Sequence, residues 1–196
     1  MEDDYLDVGG FREWLPLEME LDADQYVESV VDHFVDDPAD PAVLRAMAAH
    51  LATVAAQLRD MNDDQTMVLG GWVLLPPGGR RLEPLTVARL LAVRVPQGIT
   101  TSELVADLIH DAPLHQPIEA ETITTASGPA ELVRVRTYET TEHGVDLSET
   151  ICVLWLPSGE NYAIVLATLP IDDLVVAADA VPAITGLAES VRGLPQ

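Results

Sequence analysis

The sequence predicts an α+β protein: an antiparallel β-sheet of about six strands covered by helices, with an acidic helical hairpin at the N-terminal end. In residues 1–64 the apolar side chains recur at helical spacing. From residue 65 the period shortens to that of strands, and proline- and glycine-rich turns separate the runs. The last four strand-like runs are joined by short connections, which select an antiparallel meander over the long crossovers of a parallel sheet. A chain of 196 residues suits one domain, or one domain with an appended segment. It divides into an arm and hairpin, residues 1–64, and a sandwich, residues 65–196, expected to pack as one unit.

Residues 1–22 read as an irregular arm, broken by Gly9-Gly10 and Pro16, whose Phe11, Trp14, Leu15, Leu17 and Leu21 dock onto the body or onto a partner. Residues 23–34 read as a helix, because Tyr26, Val27, Val30, Val31 and Phe34 fall on one stripe. Asp22 or Asp24 can cap its start. Asp40 as cap and Pro41 in the first turn begin a second helix, running to about residue 61 with Leu44, Met47, Leu51, Ala55 and Leu58 on one face. Residues 65–75 and 85–95 read as strands around the turn Pro76-Pro77-Gly78-Gly79. Thr100 and Glu103 have capping-box spacing and open a short helix to about residue 110. Four strands follow, at residues 118–125, 131–140, 148–156 and 162–169. Residues 171–193 are mainly helical. Pro182 suits a continuous helix badly, so a short first turn and then a helix over residues 180–192 are expected. Helices before, within and after the strands are expected to cover one face of the sheet.

From about residue 65 to residue 194 this order resembles the Mog1/PsbP-like α+β sandwich. The shared features are the early hairpin, the capped helix from Thr100, the meander to residue 169 and the final helix after Pro170-Ile171-Asp172-Asp173. The resemblance implies a non-enzymatic accessory or adaptor protein. It rests on element order alone, so no functional residue is carried over from it.

Charge narrows the function. The chain has 33 acids against 10 bases, a net charge of −23. Residues 1–64 hold 17 acids and three arginines, net −14, while residues 65–136 are almost neutral. Such a chain is unsuited to nucleic acid, whose phosphates need a positive surface, and it is repelled by anionic membranes. An acidic surface can steer a basic protein partner. No run reaches the length of a membrane-spanning helix, and Met1-Glu2-Asp3-Asp4-Tyr5 is the reverse of a secretory signal. A cytoplasmic protein is expected, and the arginine-only, Ala- and Val-rich composition resembles that of a GC-rich bacterial genome.

The sequence offers little catalytic chemistry. There is no lysine, so Schiff-base chemistry is excluded. Gly-x-Ser-x-Gly does not occur, and neither Gly70-Gly71 nor Gly78-Gly79 opens a phosphate loop. His110, Asp111, His115, Glu119 and Glu121 lie close in sequence, but no pair has metal-ligand spacing and Pro113 intervenes. No metal, cofactor or catalytic group is therefore assigned. The lone cysteine, Cys152, reads as core.

What remains is a candidate partner surface. Arg134, Arg136 and Tyr138 share one face of a strand, with Val133 and Val135 on the other. They suit an acidic partner or a carboxylate ligand; equally, they suit cross-strand ion pairs or a dock for the acidic helices. Phe11, Trp14 and Leu17 of the arm form an apolar counterpart. The expected function is a non-enzymatic protein-binding or adaptor protein. The alternative is an acidic inhibitor or immunity-like protein that neutralises a basic, nucleic-acid-acting partner. Homo-oligomers are compatible with either.

Overall fold

The computed structural model describes residues 7–8, 14–34, 40–76, 84–109, 112–142 and 144–194. The arm supplies β1 (Asp7–Val8) and β2 (Trp14–Pro16). Helix α1 (Ala23–His33) follows, with Asp22 as its cap and Gln25 closing a capping box. Helix α2 (Pro41–Asp60) starts at the Asp40 cap, with Pro41 in its first turn. Strands β3 (Thr66–Leu74) and β4 (Thr86–Arg94) come next; much of the expected turn between them lies outside the described residues. Helix α3 (Thr101–Leu108) opens at the Thr100–Glu103 capping box. The meander is β5 (Glu119–Thr125), β6 (Gly128–Thr141), β7 (Gly144–Trp155) and β8 (Tyr162–Thr168). Helix α4 (Leu174–Ser190) and the short β9 (Val191–Arg192) end the chain, β9 pairing with β1.

Seven strands form one antiparallel sheet in the order β2-β3-β4-β8-β7-β6-β5. The seventh strand, beyond the six expected, is β2. At three residues, including a proline, it is too short for any period to show, and it sits at the sheet edge, where proline is tolerated. Gly70 and Gly71 lie in β3 beside a register shift. A Cβ at Gly71 would stand 2.8 Å from Leu58 of α2, so glycine lets the helix come close.

The helices cover both faces of the sheet, not the single face expected. On one side Tyr26, Val30, Leu44, Leu51, Leu58, Leu104 and Val105 of α1, α2 and α3 pack on Val73, Leu91, Val133, Cys152 and Val165. On the other, Ala177, Ala180, Ile184 and Leu187 of α4 pack on Leu90, Leu132, Ile151, Val153 and Leu166. A strand buried on both faces loses alternation and reads as a continuous apolar run. Ile151 to Trp155 and Ala163 to Thr168 are such runs, every residue buried.

Helix α4 runs unbroken through Pro182, contrary to the expected break. Pro182 faces solvent, so water can reach the Ala178 carbonyl that loses its partner, while the buried stripe keeps its contacts. The β6–β7 hairpin is also longer than expected. It reaches the pair Thr141 and Gly144, beyond the core, where exposed Val145 and Asp146 no longer alternate with buried residues.

Candidate functional site

The arm residues proposed for a partner are absorbed by the chain itself. Trp14 is 5% exposed, on the α4 side, and its indole N–H donates to the Ala183 carbonyl at 3.2 Å. Leu17 is 4% exposed and packs on the α1–α2 side. The alternation of β2 and its edge pairing explain this, since they send Trp14 and Leu15 to opposite faces of the sheet, each already apolar. Neither residue offers a surface to a partner. Phe11 lies outside the described residues.

Arg134 and Arg136 do share a face of β6, as expected, and it is the α4 face. They therefore cannot dock the acidic helices, which lie on the other side. Both converge on Glu149 of β7, which is 1% exposed. Arg134 reaches Oε1 at 2.7 Å and Arg136 reaches Oε2 at 2.6 Å. The cross-strand pairing of Arg136 with Glu149 brings them together. Gln116 accepts from Arg136 at 3.1 Å, and exposed Glu119 lies 3.5 Å from Arg134. Each carboxylate oxygen of Glu149 receives a charged donor, which offsets the cost of burying it. The cluster is an internal ion-pair network, not a vacant anion site.

Tyr138 continues the row but stands apart, 36% exposed, in a groove of about 300 Å³ with Pro113, Leu147 and Asp172. Arg134 faces a different groove, with Glu121, Leu132 and Val181. Among the described residues, Arg134 and Tyr138 line separate grooves. Among the described residues, no three His, Cys, Asp or Glu side chains gather as metal ligands.

Two features of the helical side stand out. The first is charge. Residues 14–64 contribute ten described carboxylates, all exposed, and a single ion pair, Arg45 with Glu28 at 2.8 Å. Asp22, Asp40 and Asp63 hold backbone amides, whereas Glu20, Asp32, Asp60 and Asp64 make no side-chain hydrogen bond or ion pair among the described residues.

The second feature is Arg89, at the centre of β4, pointing into the α1–α3 side. It lines a cavity of about 260 Å³ with Val105, Ile109, Thr150, Cys152 and Ala167. Its Nη1 donates to the Met61 sulfur at 3.4 Å, and its buried Nε–H has no acceptor. Burial pushes the Arg89 pKa down, but a guanidinium keeps its charge at neutral pH. Burial also pushes the neighbouring Cys152 thiol up to about 12, so it is an inert core thiol. The sequence signal for this site was an arginine inside an otherwise apolar strand; its lack of a carboxylate partner among the described residues needed the structure.

No family model, curated protein or solved structure matches this chain. Among the described residues, no helix is long and apolar enough to cross a membrane.

Proposed function

We propose that the protein is a non-enzymatic, cytoplasmic binding or adaptor protein whose acidic helical layer engages a basic protein. One observation carries this: the ten described carboxylates of residues 14–64 are all exposed, with one ion pair among them. A surface so lightly neutralised repels nucleic acid and anionic lipid and accelerates encounter with a cationic protein. Burial of Trp14 and Leu17 takes those two side chains out of contention, and the exposed acids around the helical hairpin support it as the docking face.

The inhibitor or immunity-like reading uses the same face. It differs in requiring that the partner's nucleic-acid-binding surface be masked. Capture of partners from a bacterial lysate on the immobilised chain, eluted in salt steps, tests the proposal. A stoichiometric basic protein released at moderate salt is expected. If that protein also loses its nucleic-acid binding in the complex, the inhibitor reading holds. Retention of only neutral or acidic proteins, or of none, overturns both.

A further inference from the structure

Arg89 is paired across the sheet with Gly71 on β3 and Ala167 on β8, and Ala167 is paired in turn with Cys152 on β7. Three small residues thus surround one long cation. Helix α3 passes over them with Val105, Leu108 and Ile109, and the cavity of about 260 Å³ lies between. That volume is just below the ~300–1,000 Å³ usual for small-molecule sites, and the walls combine apolar side chains with Arg89 and the threonines Thr137, Thr150 and Thr168. Thr150 lines the cavity, and its hydroxyl makes no hydrogen bond among the described residues.

Arg134 and Arg136 share a buried carboxylate, Arg45 has Glu28, and the chain holds 33 acids. Yet no described carboxylate reaches Arg89, and a sulfur is its one hydrogen-bond acceptor. Arg59, Arg94 and Arg192 also lack a carboxylate partner among the described residues, but they are exposed to water; Arg89 differs in being partly buried. A partly desolvated cation without a described counter-charge is costly, and a single bound anion relieves that cost. One cation balances one negative charge. The net charge of −23 disfavours multiply charged anions such as phosphates. The apolar walls favour an anion with a hydrocarbon body.

We infer that this cavity binds a small monocarboxylate, its carboxylate paired with Arg89 and its apolar body held between α3 and the strands β7 and β8. The site lies on the α3 side of the sheet and does not depend on the partner proposed above.

The test is calorimetric and NMR titration of the full chain with benzoate, isovalerate and hexanoate, with benzamide and inorganic phosphate as controls. At least one carboxylate is expected to saturate, with amide shifts centred on Val105, Thr150 and Ala167. Benzamide and phosphate are expected to bind roughly tenfold or more weakly, lacking the matched charge or the apolar body. Arg89→Met is expected to abolish binding while raising the melting temperature of the free protein, because it removes an uncompensated charge. Ala167→Leu fills the cavity but keeps the charge, and is expected to abolish binding as well. The inference is overturned if no probe carboxylate saturates, if benzamide or phosphate binds as well as benzoate, or if either folded variant binds as the parent does.

Discussion

Glu149 shows how far single side chains can be read. That Arg134 and Arg136 share a face follows from strand alternation alone. That Glu149 meets them depends on hairpin register, which the pair Thr141 and Gly144 sets far from the cluster. Removing the shared carboxylate leaves two neighbouring guanidiniums without their counter-charge. Glu149→Gln is expected to destabilise the fold by about 3 kcal/mol, the low end for a broken buried pair because both arginines still reach water. Glu119→Gln, at the exposed edge of the same network, should cost about 1 kcal/mol or less. Urea unfolding of the two variants checks this, and equal losses would contradict the assigned roles. Cys152 gives a pH prediction. Its folded pKa of about 12 lies above the ordinary 9.0. The unfolded chain therefore releases this proton first as pH rises. The stabilisation is complete below pH ~9 and lost between there and about 12, at up to about 1.4 kcal/mol per pH unit. Buried Tyr26, whose pKa is also raised, adds to the same alkaline loss. Cys152→Ala should flatten the stability–pH profile above pH ~9; an unchanged slope would remove the thiol from the account.

Among the elements, those legible in the sequence carry local signals. The caps at Asp22, Asp40 and Thr100 act within a few residues of the backbone groups they satisfy, so spacing reveals them. The elements that escaped are decided by distant partners. Strand β2 exists because β3 offers it an edge, and α4 ignores Pro182 because its buried stripe holds both halves against the sheet. The proline is tolerated, not required. Pro182→Ala restores the backbone donor to an exposed helix position. It is expected to stabilise the protein by about 2 kcal/mol, from ~3 kcal/mol recovered in the helix less up to ~1 kcal/mol of unfolded-chain entropy. Thermal unfolding decides the point: a lower melting temperature would mean that Pro182 shapes a bend the packing needs.

For the molecule as a whole, composition spoke clearly about charge and poorly about layers. A count of strand-like runs approached the sheet, but the continuous apolar runs of β7 and β8 already carried the sign of burial on both faces. Covering both faces separates the charges. Helices α1, with Asp24, Glu28 and Asp32, and α2, whose one acid is Asp60, lie on the opposite side of the sheet from the Arg134–Glu149–Arg136 network, so those arginines cannot neutralise them. Under the proposed function, that separation leaves the exposed acids of residues 14–64 to a basic partner. The most direct measurement is the salt-stepped capture repeated with Glu20→Gln, Asp32→Asn, Asp60→Asn and Asp64→Asn combined. None of these side chains makes a hydrogen bond or ion pair among the described residues, so the fold is expected to persist with unchanged circular dichroism. Loss of the basic partner, or its release at clearly lower salt, is the predicted result. Undiminished retention by the folded, neutralised chain would contradict the assignment of the acidic layer as the binding face.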